Sequence, residues 1–273
     1  MNRMTRQSVA QPRAAHGGFT MLELMIALLL SSIVVLAVTQ LFITNQRTFV
    51  LQQALRDVQE QGRFALEYIE RDARRASLVQ PGAAGPEPGI IVENSQLPVG
   101  VGFPPSSEGG TGATDNDRLT FSFQGDAGME DCEGDALAAA AAPALVVSTY
   151  WVNDANQLRC EGSVDGASGG LTLVEGVDSF QVLYGIDTED DGVPFASRYV
   201  RADDLNVDDQ VLAVRVGLLV RARQENIPDL AEPNNYVVLD KELTSGVEPL
   251  DGQAVRRLFG TTVRLRNYDW GSI

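Results

Sequence analysis

Two reactive residue types are almost missing from this chain of 273 residues. Its one histidine, His16, precedes a long apolar run, in a stretch expected to be removed. Without histidine the remaining chain has no His-dependent catalytic triad and no His-bearing zinc site. Cysteine occurs twice, at Cys132 and Cys160. Two cysteines cannot build a four-cysteine zinc site or an iron–sulfur cluster. One disulfide is the economical reading in an oxidising compartment. The sequence also has no phosphate loop, no Gly-x-Ser-x-Gly and no candidate activated nucleophile, so no enzyme is expected. Positive charge is scarce where it would matter for nucleic acid. Residues 79–273 carry a net −19 out of a total of −16, and phosphate contacts need a basic face. The group Arg256, Arg257, Arg264 and Arg266 is the one exception, read as a solvated or partner-facing strand edge.

Proline and glycine are absent from Phe19 to Gln61. Within that stretch, Leu24 to Gln46 is 23 residues without a charge. At about 1.5 Å per residue, such a helix crosses about 30 Å of hydrocarbon. Arg3, Arg6 and Arg13 lie before it, which predicts a cytoplasmic N-terminus and an exported body. A secretory signal places its small-residue cleavage site after the apolar region, whereas here Gly17-Gly18 precedes it. Glu23 stands at the head of the run. A carboxylate deep in a bilayer costs about 2.5 kcal/mol or more unless it is interfacial or paired. Cleavage after Gly18 would supply a partner, the new α-amino group of Phe19. At close range and an effective dielectric of 20, that pair attracts by at most roughly 4 kcal/mol. A plain signal-anchor helix with an incidental acid is the alternative reading.

The run Gly18-Phe19-Thr20-Met21-Leu22-Glu23 resembles the processing site of type IV prepilins and type II secretion pseudopilins. The resemblance implies cleavage after Gly18 by a prepilin peptidase, N-methylation of Phe19, and an assembly role for Glu23. Gln59-Glu60-Gln61-Gly62-Arg63-Phe64-Ala65-Leu66 with Arg71-Asp72-Ala73-Arg74 is similar to PilW-type minor pilins. So are Arg257-Leu258-Phe259 and Thr261–Asn267, and more loosely Leu173 to Ala222. The region from Pro81 to about Asp135 resembles nothing placed. PilW-like chains often carry a glycine-aromatic stretch and a cysteine after the long helix, where this chain reads Ala76-Ser77-Leu78-Val79, so its disulfide pattern is free to differ.

The helix is expected to continue to about Leu78, with Pro81-Gly82 as its stop. Leu51, Leu55, Val58, Gly62, Ala65, Ile69, Ala73 and Ala76 recur at steps of three or four, an apolar stripe that Phe64 and Tyr68 widen. Gly62 costs the helix about 1 kcal/mol relative to alanine, and close packing is the expected compensation. Glu67–Arg71 and Glu70–Arg74 are i, i+4 pairs on the other face. Residues 81–112 hold 14 Gly or Pro and read as irregular loop. Strand-like runs follow at Leu119–Phe123, Ala144–Val152, Gln157–Cys160, Leu171–Val174, Phe180–Ile186, Val211–Ala222 and Thr261–Leu265. Asn153–Asn156 reads as a hairpin loop that sets Cys160 beside the 144–152 run. The fold class is α+β. The resemblance implies the type IV pilin fold, a long N-terminal helix whose amphipathic half packs on an antiparallel β-sheet.

Asp187-Thr188-Glu189-Asp190-Asp191-Gly192 resembles the start of a calcium loop. The twelfth position is Arg198, so the EF-hand pattern fails. Asp187, Glu189 and Asp191 remain a calcium candidate, with Asp203 or Asp204 as further ligands, beside a solvated acidic turn. No other cofactor or metal is expected. The expected layout is a leader over 1–18, a transmembrane and assembly half over 19–46, an amphipathic half over 47–78 and an acidic β-rich domain over 79–273. The resemblance implies a minor pilin that starts or caps a type IV pilus. Its partners would be other minor pilins, the major pilin, the prepilin peptidase and the inner-membrane assembly platform. Its location would be the inner membrane with a periplasmic body, then the cell surface. A minor pseudopilin of type II secretion is the alternative, and a membrane-anchored periplasmic enzyme or binding domain the third reading.

Overall fold

A computed structural model describes residues 18–80, 89–91, 103–109, 115–166, 169–189, 193–206, 209–225, 233, 235–244, 250 and 253–267. The leader 1–17, the expected stop Pro81-Gly82 and Asp191 lie outside the described residues. Two compact units are present, Met1–Val50 and Leu51–Ile273.

One helix, α1, runs Met21–Arg75. Its length follows from the absence of any breaker before Gly62. It ends three residues before the expected Leu78. Ser77 adopts a left-handed backbone, φ 65°, the conformation that commonly terminates helices. The stop signal is therefore a serine in an unusual conformation and lies ahead of Pro81-Gly82.

In the second unit the described strands, all antiparallel, form two four-stranded sheets and a two-stranded ribbon. The first sheet is a meander of β1 (Leu119–Gly125), β2 (Ala144–Val152), β3 (Gln157–Gly162) and β4 (Leu171–Glu175). The hairpin expected at Asn153–Asn156 is formed. The Asn153 side-chain oxygen accepts from the N–H groups of Ala155 and Gln157, at 3.1 and 2.9 Å. Tyr150 lies opposite Cys160. β5 is Val177–Ile186, β6 is Arg198–Val200, β7 is Val211–Glu225 and β10 is Ala254–Arg264; the second sheet has the order β10-β7-β5-β6. β8 (Asn235–Val238) and β9 (Lys241–Thr244) pair with each other. β7 is central, as its length and alternation suggest: Val214 and Val216 are buried, and Arg215 stacks on the Tyr199 ring at 3.9 Å.

From Leu51 onward α1 and both four-stranded sheets share one core. Val58, Ala65, Ile69, Ala73 and Ala76 meet Phe121, Tyr150 and Leu158 of the first sheet and Phe180, Val182, Val214 and Val263 of the second. Burying a side chain such as Ile69 stabilises by about 1.5–3 kcal/mol. Phe64 departs from the stripe and is 45% exposed, stacked with Tyr68 at 5.4 Å. Glu70–Arg74 forms at 2.8 Å. Arg71 instead lies over the Tyr68 ring and 3.6 Å from Asp72.

Three buried polar groups hold this core in register. Asp72 accepts from the Tyr150 hydroxyl at 2.6 Å and from Arg75. Asp178 binds Arg256 at 2.8 Å, with Arg221 at 3.3 Å. Asp117 accepts from the N–H of Val182 at 2.7 Å and of Gly109 at 2.9 Å.

Candidate processing and assembly site

Gly18, Phe19 and Thr20 precede the helix with no regular structure. Phe19 is 84% exposed, and a side chain at Gly18 would meet no atom within 4 Å. Thr20 caps α1: its Oγ1 accepts from the N–H of Glu23 at 3.3 Å, and its carbonyl accepts from Leu24 at 3.2 Å. Thr20-x-x-Glu23 is the spacing of a capping box. That signal lay in the sequence unread. The bond observed uses the backbone N–H of Glu23, which any residue but proline at that position would supply. The carboxylate also sits in the first turn, at the positive end of the helix dipole. No ion pair to it is present among the described residues.

The helix beyond Glu23 is suited to an apolar solvent. Every residue from Gly18 to Phe49 is exposed, and the segment has a mean hydropathy of 2.6 over its most apolar window. The side chains of Ser31, Ser32, Thr39, Thr44 and Thr48 turn back on their own backbone. Ser31 and Ser32 donate to the carbonyls of Leu28 and Leu29, at 2.9 and 2.8 Å. Thr39, Thr44 and Thr48 do the same one turn back. Such internal satisfaction is what a lipid or helix-packed setting requires. These serines are thus engaged within the helix.

The other candidate residues lie in the second unit. Cys132 and Cys160 are both buried and form a disulfide with a Cα separation of 6.1 Å. It ties the 126–137 loop to β3. Asp187 accepts from the N–H of Glu189 at 3.0 Å and of Phe195 at 3.2 Å, so it organises its own loop. Glu189 is exposed. Asp204 lies 3.5 Å from Arg201, in a short helical turn. A different carboxylate trio, Asp131, Asp135 and Asp165, has oxygens within 4.8 Å of one another. Asp131 in that trio is committed to the N–H groups of Glu133, Asp135 and Val164.

Asp117 is the most perturbed of the acids. Burial pushes it up to about 7, with Glu108 and Asp240 adding to the effect and its two backbone hydrogen bonds opposing it. Burial raises Tyr150 as well, and the Asp72 carboxylate adds to this. Both groups lie inside the core, and their chemistry is structural. The arginine group divides. Arg256 is buried on Asp178, whereas Arg257, Arg264 and Arg266 are exposed.

Comparison with known proteins follows the same two regions. Residues 142–267 match the family of Type IV Pilus-assembly protein W. Residues 13–39 match the prokaryotic N-terminal methylation motif. No curated protein matches the chain. Among solved structures, a type IV-like pilin from Thermus thermophilus is similar at 20% identity and a TM-score of 0.38, covering 73% of this chain and 90% of that one.

Proposed function

We propose, from the premise that this chain is a PilW-like type IV pilin carrying an N-terminal methylation motif, that it is a minor pilin which starts or caps a pilus. The prepilin peptidase cuts between Gly18 and Phe19 and the new amine on Phe19 is methylated. The apolar half of α1 holds the subunit in the inner membrane with its acidic body on the periplasmic side. The subunit then joins other minor pilins, the major pilin and the assembly platform, and the mature pilus carries it to the surface. Its work is structural, and no catalysis is assigned to it.

One observation carries this reading: an exposed, capped, internally satisfied apolar helix headed by Gly18-Phe19 and Glu23. In the assembled state Glu23 pairs with the α-amino group of a neighbouring subunit. Glu23→Gln keeps the capping geometry and removes the charge. It is expected to abolish incorporation into the sheared filament fraction while the protein stays in the membrane. Incorporation at the wild-type level would sink the pairing role. The second reading, a minor pseudopilin, shares the whole N-terminal half; the C-terminal Arg257–Asn267 resemblance favours the pilus. Deletion that abolishes surface motility supports the pilus. Deletion that instead abolishes exoprotein secretion supports the pseudopilin.

A further inference from the structure

The arginine-bearing strand β10 is the edge of its sheet. It pairs with β7 over Ala254–Arg264, and among the described residues no strand pairs with its other side. A sheet edge offers N–H and C=O groups that can pair with another chain, and proteins usually blunt such edges with short strands, charged side chains, proline or bulges. β10 is 11 residues long and contains no proline. Its one irregularity lies at its start, between Ala254 and Arg256; from Arg256 to Arg264 the register is regular.

Beside this edge lies an open groove of about 590 Å³ between β10 and one flank of α1. Phe259, Gly260 and Thr261 line one wall, and Arg63, Glu70 and Arg74 are among the residues of the other. The wall is rigid. Thr261 donates to Glu70 at 2.6 Å, and the Asn267 side chain donates to the carbonyls of Arg74 and Ala76 at 3.1 Å each. Gly260 is exposed in mid-strand, where the lack of a side chain allows another backbone to approach closely.

Charge selects what fits there. β10 carries Arg256, Arg257 and Arg264 and no acid. Arg256 is neutralised by Asp178. Alternation places Arg257 on the same face as Phe259 and Thr261, towards the helix flank, where Arg63 and Arg74 are exposed. On the opposite face Arg264 stands exposed, and Arg266 follows the strand. Against these five exposed arginines the groove offers Glu67 and Glu70; the Glu70–Arg74 ion pair cancels one of each, which leaves four arginines against Glu67. The edge is thus a cationic strip on a chain of net charge −16.

We propose that the free edge of β10 is a strand-addition site that receives an extended segment bearing carboxylates from a neighbouring protein. Backbone hydrogen bonds to β10 supply the docking. A cross-strand pair with Arg257, and a contact with Arg63 across the groove on the same face, supply the selectivity. This does not depend on which filament the chain serves or on how its N-terminus is processed.

The test uses the full chain in a mild detergent and a short synthetic peptide of alternating threonine and glutamate. Hydrogen exchange is followed at the amides of Leu258 to Thr262. The acidic peptide is expected to slow exchange at the outward-facing amides and to bind about tenfold more tightly than the same peptide with glutamine, as two ion pairs, with Arg257 and Arg63, would give. The preference should shrink at high salt and vanish in Arg63→Glu/Arg257→Glu. Both positions are exposed, and an unchanged melting temperature verifies the fold of that variant. Equal binding of the glutamine peptide, or no protection by either, would overturn the proposal. So would slow exchange in the chain alone, since the edge would then already be covered; arginines there would serve only to keep other strands away.

Discussion

Replacing Gly62 with alanine sets two effects against each other. In a helix interior alanine is better than glycine by about 1 kcal/mol. At Gly62, however, a Cβ would land on the ring of Phe259. Forcing extra volume into a packed contact typically costs about 1–3 kcal/mol. Phe259 is half-buried at the side of an open groove, so its ring has room to swing. That places the cost near the middle, roughly 2 kcal/mol, and the net loss near 1 kcal/mol. In a Phe259→Ala background the obstacle is gone. Gly62→Ala should then stabilise by about 1 kcal/mol, the helix preference alone. The sign reverses between backgrounds, a coupling of about 2 kcal/mol, well outside the scatter of independent sites. Urea unfolding of the chain in mild detergent, followed by near-ultraviolet circular dichroism, measures all four variants. If Gly62→Ala stabilises equally with and without the ring, Phe259 does not set the identity of residue 62.

Asp178→Ala leaves Arg256 buried without its carboxylate and should cost about 3–5 kcal/mol, read as a lower urea midpoint; a loss under about 1 kcal/mol would mean the pair is dispensable. Asp117 holds its proton to about pH 7 in the folded chain, whereas an unfolded aspartate loses it near pH 4. This group's contribution to stability should therefore be greatest below about pH 4 and fall as pH rises to about 7, by up to about 4 kcal/mol. Asp117→Asn should flatten that part of the profile measured by urea unfolding. Reduction of Cys132–Cys160, which closes a sequence separation of 28, should cost about 3–4 kcal/mol on the chain-entropy account. That loss should be matched by Cys132→Ser/Cys160→Ser in thermal melts.

Local signals were readable because their causes are local. The charge-free run, the stripe from Val58 to Ala76 and the Asn153–Asn156 hairpin each rest on spacing within a few residues. The long strand at 211 and the partnership of the two cysteines also emerged as expected. Elements set by distant partners did not. The β8–β9 hairpin turns at Leu239-Asp240 with Leu239 at φ 55°, a position where glycine or asparagine would have marked the turn. The body divides into two sheets because β4 and β5 are separated only by Gly176, at φ 73°, and one glycine between two apolar runs does not announce a change of sheet. β10 begins at Ala254, well before the expected Thr261, because its Arg256 is neutralised by Asp178. β5 is irregular at that aspartate, between Val177 and Ser179. At the head of the chain the reverse holds. Glu23 was visible as an anomaly, and the structure adds a Thr20 cap on its backbone N–H and a place for its carboxylate in the first turn of the helix.

Processing at the N-terminus is the claim on which the proposed function depends. The direct measurement is the mass of the N-terminal peptide of the protein isolated from its native membrane. A peptide that begins at Phe19 and carries one added methyl group is the predicted result. A peptide that retains residues 1–18, or one cut beyond the apolar run, would contradict the account.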